Sequence, residues 1–457
     1  MNLHRDILRL AVPSILANIT VPLVGMVDIA VAGHLGASGN LGAAALIGGI
    51  SIGTMLFDML YWNFGFLRGG TGGLTAQAYG RHRAGVAEAA GDIAVTLKRA
   101  LGIAFGSGLV LIALQWVVVQ VAFLLVDCSP EVQTLATQYF YIRIWAAPAT
   151  LSLFAFKGWF IGMQDTVRPM ICDLLVNATN ILLSIGLSFG YAGLPALGFA
   201  GVAWGTLIAQ WTGFLYASLA VWFRYRWVLK QATQGGHAAG FREFFVLNRD
   251  LFLRSVCMIA VYIGFTIISA RYGDMMLAVG AILMKLLMIF SYFTDGFAYA
   301  GEALTGRFIG EQSLDGVRST IRQTFVWCLG VTVLFLLVYG VGGVPLLRLM
   351  TSDPGVVEAG REFIPWLLLM PFIGCPAFTW DGIFMGATAS KDLRNATVWC
   401  VVGFFGVWFA GIGLLHAVHE TVPETLAIHL LMAAYFTHLL VRALYLTLRW
   451  RKAVPYA

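Results

Sequence analysis

Apolar residues run along this chain in long unbroken blocks rather than in alternation. Each block reaches about 20 residues, enough to cross a bilayer as a helix. A membrane barrel would show segments of about ten residues with alternating polarity, and these blocks are continuous. In lipid, a spanning backbone that pairs within its own segment is a helix. The pattern predicts an all-α integral membrane protein with twelve transmembrane helices. The predicted spans lie at roughly 9–32, 43–67, 100–125, 134–162, 168–190, 201–223, 251–273, 276–304, 325–349, 362–386, 396–416 and 425–448. The first block is longer than a signal-peptide core, with no clear small-residue cleavage site after it, so it is expected to be a span.

Charge gives these spans a direction. With the N-terminus in the cytoplasm, 24 of the 29 Lys and Arg fall on cytoplasmic segments or span edges. Arg271, Arg348 and Arg361 fall outside, and Arg143 and Lys285 lie within spans. That asymmetry predicts a plasma (inner) membrane protein with both termini cytoplasmic. It also supports the span count, because one missed helix would scramble the alternation.

The longest basic connection, "RYRWVLKQATQGGHAAGFREFFVLNR" at 224–249, divides the chain into two sets of six spans. The expected division is an N-lobe at 1–223, a cytoplasmic linker at 224–250 and a C-lobe at 251–457. The halves carry related pieces. "LTAQAYG" (74–80) follows the second span and "LTGRFIG" (304–310) the eighth, each trailed by a Gly-Val pair, Gly85-Val86 and Gly316-Val317. "FIGMQDTVRP" (160–169) follows the fourth span and "FMGATASKDLRN" (384–395) the tenth. Two parallel six-span repeats are a transporter plan.

Composition narrows the classes further. Charged residues make up 11% of the chain, against about 25% in soluble domains. The net charge of +6 is read as topology-setting loops rather than a nucleic-acid surface. The six cysteines are scattered, with no CxxC pair, and suggest neither disulfides nor a metal site. "HET" at 419–421 does not continue to HExxH, since Pro423 holds the last position; "RGGTGG" at 68–73 lacks the end of a phosphate loop; no GxSxG occurs. An enzyme is the weaker class, and no cofactor is expected.

A charge at the bilayer centre costs at least about 2.5 kcal/mol, so intramembrane charges mark function by default. Those here are Asp28, Asp58, Arg143, Asp173, Lys285, Asp295, Glu302 and Asp381. Asp58 and Glu302 lie near estimated span ends and are read as interfacial. Arg143 is a candidate partner for a carboxylate. Lys285, amid "AILMKLLMIF", either snorkels or pairs inside the bundle. In the fifth span Asp173, Asn177, Asn180 and Ser184 are spaced four, three and four apart, which puts them on one helix face. A polar stripe on an apolar span faces the protein interior or a watery cavity; the bland alternative is a packing stripe. Asn177, Asp173, Asp295, Asp381, Arg143 and Lys285 are the candidates for lining a substrate cavity.

The segments "VPLVGMVDIAVAGHLG", "GGLTAQAYG", "GMQDTVRP" with "NATNILL", "LNRDLFLRS", "DGFAYAGEALTG" and "DGIFMGATASKDLRN" together resemble the multidrug and toxic compound extrusion (MATE) transporters, and within them the DNA-damage-inducible branch. The resemblance runs from the first span to the eleventh. It implies two six-helix lobes around a cleft open to one side at a time. It also implies efflux of bulky lipophilic, often cationic, drug-like compounds, driven by protons or sodium. By this resemblance Asp28 matches the coupling aspartate of the first helix and Pro13 the proline at which that helix bends. Asn180 and Thr206 match the N-lobe cation site, and Asp381 sits where some members carry a tenth-helix acid. Many members place a second aspartate four residues after the asparagine; here that residue is Ser184. Asp173 lies eleven residues from Ser184, about 16 Å along a helix, and cannot substitute directly.

These residues suggest how transport would be driven. Burial disfavours the charged form of a carboxyl, and a carboxyl neutral in one access state and ionised in the other couples proton flow to conformation. With one carboxylate fewer for sodium, the expected coupling ion is the proton, with sodium the alternative, at Asp28, Asn180, Thr206 and Ser184. The expected partners are small drug-like molecules and membrane lipid, not nucleic acid, and the chain is expected to act as a monomer. A flippase for lipids or lipid-linked oligosaccharides has a similar lobe plan. It should line its cavity with several Arg, and Arg143 and Lys285 are few. A membrane enzyme or receptor is the third class.

Overall fold

The computed structural model describes residues 3–38, 42–126, 128–231, 241–351, 353–418 and 422–455. Among these the regular elements are helices, and twelve are long and apolar enough to cross a membrane. They are Leu3–Gly36, Ala43–Arg83, Ala89–Ala113, Pro130–Gly162, Val167–Phe189, Phe199–Arg224, Arg242–Ala270, Met275–Gly310, Leu314–Met350, Ile364–Gly386, Ser390–Val418 and Glu424–Ala453. Each coincides with one apolar block of the sequence. The "HET" tripeptide and much of the central basic connection lie outside the described residues.

Several spans differ from their predicted extents, the seventh and ninth starting earlier, at Arg242 and Leu314, and the second and third differing most instructively. The second runs on to Arg83 through "RGGTGGLTAQAYG". Glycine is a poor helix former, but here it is what packing requires. A Cβ at Gly158 of the fourth span would lie 2.1 Å from the Arg68 carbonyl oxygen, and one at Gly162 would lie 2.7 Å from that of Gly72. The two backbones therefore touch. The third span begins at Ala89, earlier than the charges near Asp92 suggest, because Asp92 is bound by Arg81 at 3.0 Å. It ends at Ala113, and a separate short helix, Gln115–Leu125, follows.

The chain forms two compact units: Leu16–Gly240, and Met1–Ile15 together with Phe241–Ala457. The expected lobe boundaries assigned residues 1–15 to the N-terminal half. Packing puts them in the other unit: a Cβ at Gly296 would lie 2.4 Å from Ile15 and 2.9 Å from the Ala11 carbonyl oxygen. In the same unit Trp327 Nε1 lies 3.2 Å from His4 Nδ1. Helix also begins at Phe241, within the segment expected as linker.

The repeat is visible in local geometry. Gln164 and Thr388, which follow the fourth and tenth spans, both take positive φ, 62° and 55°, in the same reverse turn. Gly382 and Gly386 of the tenth span meet the eighth as Gly158 and Gly162 meet the second. Their Cβ atoms would lie 2.1 and 2.3 Å from the carbonyl oxygens of Ala298 and Glu302. The Gly-Val pairs, by contrast, are not equivalents. Gly85 is the left-handed turn residue (φ 88°), whose counterpart is Gln312 (φ 55°). Gly316 instead accepts a cap, its N–H donating to Ser313 Oγ at 3.1 Å.

Candidate functional site

Within Leu16–Gly240 the fifth and sixth spans pack closely because the sixth presents glycines. A Cβ at Gly201 would lie 2.6 Å from the Ser188 nitrogen, and one at Gly205 2.6 Å from the Ser184 nitrogen. That approach brings the Asn180 amide to the Thr206 hydroxyl, Nδ2 donating to Oγ1 at 2.8 Å. Thr206 in turn donates to the Val202 carbonyl at 3.1 Å. Asn180 is 2% exposed, and Ser184 and Thr206 are buried.

Asp28 comes to this place from the first span. It is 5% exposed, and its Oδ1 has no hydrogen-bond partner. The Ser184 hydroxyl faces its carboxyl without closing a hydrogen bond of ordinary geometry, and Arg143 acts on it electrostatically. Asn180 Oδ1 and Ser184 Oγ are likewise buried without partners. A carboxylate, an amide oxygen and hydroxyl oxygens thus sit in one lobe with spare acceptor capacity, which is the chemistry that takes up a proton or a hard cation.

Arg143 is the cation beside this group. Its Nη1 donates to the Tyr139 hydroxyl at 3.0 Å, and its guanidinium lies 4.6 Å from the centroid of Phe57. Asp28, Asp58, Tyr61 and Tyr139 all lie within its electrostatic reach. Asp58 lies in the last turn of the helix Ala43–Trp62, which passes through a 3-10 turn, Asn63–Gly65, before helix resumes at Phe66 and continues the second span to Arg83.

The stripe on the fifth span divides among several partners. Asp173 forms an ion pair with Lys157 of the fourth span at 2.5 Å. Asn177 is half-buried and donates to Thr20 Oγ1 of the first span at 2.8 Å. Asn180 and Ser184 belong to the Asp28 group. A single cavity face is too simple a description, because three neighbouring helices each take part of the stripe. Pro13 lies inside the continuous first helix, where it leaves the Arg9 carbonyl without its usual donor.

The other unit holds the remaining candidates. Asp295 is half-buried and Lys285 exposed, both on the eighth span. Glu302, also read as near a span end, is buried against the tenth span, whose Gly386 backbone meets its carbonyl. Asp381 Oδ2 accepts from Arg254 of the seventh span at 2.8 Å and forms an ion pair with Arg442 of the twelfth at 3.1 Å. Lys157, Arg254 and Arg442 were counted with the cytoplasmic segments and span edges. All three lie on helices long and apolar enough to span, and each pairs with a carboxylate of another helix, a role considered for Arg143 and Lys285. Each falls inside an apolar block of the predicted spans, and that was the signal available to find them.

Comparison with known proteins bears on the whole arrangement. The family model described as MatE matches residues 13–185 and 251–408. DNA damage-inducible protein F of Escherichia coli K12 is 33% identical over 97% of this chain and 91% of its own length. The probable multidrug resistance protein NorM of Thermotoga maritima is 21% identical over 89% of this chain and 84% of its own. Among solved structures, the Vibrio cholerae MATE transporter VcmN in its bent form superposes with a TM-score of 0.79 at 17% identity. That match covers 99% of this chain and 97% of that one, and shows a shared fold.

Proposed function

Since this chain belongs to the MatE family, whose members are transporters rather than enzymes, we propose that it is a multi-pass inner-membrane antiporter. It exports bulky lipophilic, often cationic compounds by alternating access, with both termini cytoplasmic and protons as the driving ion. The observation that carries this reading is Asp28, a buried carboxyl with an unpartnered oxygen beside Ser184, in the lobe that holds the Asn180–Thr206 pair. Asp28 is protonated in one access state and gives up its proton in the other. The Thermotoga maritima relative, whose name refers to multidrug resistance, supports an efflux role.

The donor set favours protons over sodium. Sodium needs several oxygen ligands and gains most from carboxylates that stay charged; a proton needs one oxygen. Thr206 Oγ1 is already engaged by Asn180 and Val202, which leaves Asp28, Asn180 Oδ1 and Ser184 Oγ. Ser184 occupies the place where a second carboxylate would have strengthened a sodium site. Pro13 supplies the bend in the first helix, two residues before the chain passes from one compact unit to the other.

The test is transport by purified protein in liposomes with one ion gradient imposed at a time. An inward proton gradient alone should drive dye efflux, and a protonophore should abolish it. Efflux driven by sodium with no pH difference and unaffected by the protonophore overturns proton coupling. No export under either gradient overturns the antiporter reading.

A further inference from the structure

The Arg254–Asp381–Arg442 cluster lies wholly within the unit that contains residues 241–457. Two guanidinium groups share one carboxylate oxygen, at 2.8 and 3.1 Å. The cluster therefore carries one net positive charge. Among the described residues, no second carboxylate is paired with either arginine. Two other acids of the same unit are held by their own arginines: Asp250 by Arg394 at 2.8 Å and Arg249 at 3.2 Å, and Asp392 by Arg449 at 2.9 Å. Rotating Asp381 would change its hydrogen bonds and leave the imbalance as it is. An unbalanced buried charge costs several kcal/mol, far more than a neutral polar group.

The unused donors have a shape. Arg442 is 1% exposed; its Nη1 lies 3.1 Å from Asp381 Oδ2 and donates to Met258 Sδ at 3.7 Å, while Nε and Nη2 are buried without a partner. Those two nitrogens form one edge of the planar fork, the edge that receives both oxygens of a carboxylate. Arg254 Nε is also unpartnered. The ring of Phe378 lies 5.0 Å from the Arg442 guanidinium and gives an apolar side to the place. The side chains of Arg254 and Asp381 remain 20% and 14% exposed, so the cluster is open on their side.

We propose that the Arg254–Asp381–Arg442 cluster binds an organic anion through its carboxylate, which takes the Nε–Nη2 edge of Arg442 and the guanidinium of Arg254 and supplies the missing negative charge. A carboxylate attached to an aromatic ring fits both the fork and Phe378. This goes beyond the efflux reading, because binding here requires neither an ion gradient nor export.

The test is equilibrium binding of fluorescent 1-naphthoate to the purified full chain in neutral detergent, with neutral 1-naphthamide, benzoate, chloride and inorganic phosphate as competitors. Saturable naphthoate binding is expected, with the amide weaker by about tenfold or more. Arg254→Gln and Arg442→Gln should each weaken binding by about tenfold or more. Asp381→Asn raises the net charge of the cluster from one to two and should tighten binding. Where Arg442→Gln fails to fold, Arg254→Gln and Asp381→Asn still decide. Absent saturable binding, equal affinity for the amide, or weakening by Asp381→Asn overturns the proposal. Displacement by phosphate or chloride as readily as by benzoate overturns the carboxylate assignment. Because no gradient is applied, a chain that binds naphthoate but exports nothing would fail the efflux reading and keep this one.

Discussion

Asp28→Asn keeps the shape of the side chain and removes its titration. The group formed by Asn180, Ser184 and Thr206 holds one carboxyl, that of Asp28, so a proton-driven cycle moves one proton through this site. A pH difference of one unit stores about 1.4 kcal/mol per proton, a factor of about ten in a concentration ratio. Exchange of one proton for one monovalent dye cation therefore supports about tenfold accumulation at one unit and about hundredfold at two. A plot of the logarithm of the accumulation ratio against the pH difference has a slope of one. In Asp28→Asn the ratio stays at about one whatever the gradient. The variant should still fold: an amide takes the place of a buried charge, and its new donor faces the Ser184 hydroxyl, so the melting temperature should move by only a few degrees. The assay uses proteoliposomes with imposed pH steps, a quenched cationic dye and thermal melting of the same preparation. Undiminished accumulation by a folded Asp28→Asn protein refutes the coupling role, and a slope of two in the wild type refutes the single-carboxyl site.

Other perturbations test the packing and hydrogen bonding of the two units. Gly382→Ala places a Cβ 2.1 Å from the Ala298 carbonyl oxygen, whereas Gly102→Ala meets nothing within 4 Å. Thermal unfolding should show the first destabilised by about 1–3 kcal/mol and the second unchanged or stabilised by about 0.5–1 kcal/mol; equal effects would refute the contact. Thr206→Val strands the Asn180 amide and should cost about 1–3 kcal/mol, while Thr206→Ser keeps the acceptor and should cost less. Tyr225 donates to Asp165 Oδ2 at 2.6 Å, and burial first, then that bond, pushes its phenol above the ordinary value. Tyr225→Phe should lose about 1–2 kcal/mol. The deficit should hold up to about pH 10 and shrink above it, as the unfolded phenol ionises while the folded one keeps its proton; a deficit that shrinks below neutral pH would refute the assignment.

The twelve spans were legible because long unbroken apolar blocks are what a backbone crossing lipid demands. Asp28, Asn180 and Thr206 were legible through family resemblance, since spacing alone does not say which helices meet. Helix extent was obscured wherever glycines or charges broke the hydropathy. "RGGTGG" fell outside the predicted second span, yet the fourth span's glycines pack against it, and Asp92 fell before the predicted third span, yet Arg81 binds it. Lys157, Arg254 and Arg442 were counted with cytoplasmic segments and span edges although they lie in apolar blocks. Their carboxylate partners stand on other helices, up to 127 residues away, and no local pattern reports such a pair.

The glycine seams have a mechanical consequence. Where the second span meets the fourth, and the eighth meets the tenth, peptide backbone lies directly against peptide backbone. At these glycines there is no long side chain that could change rotamer and let one helix slide along its neighbour. Each couple is in effect a welded strut. A stiff strut carries force without yielding, so under the proposed alternating access its two helices turn together, and the bending has to fall elsewhere. The first helix, which lacks a backbone N–H donor at Pro13, is where it can fall.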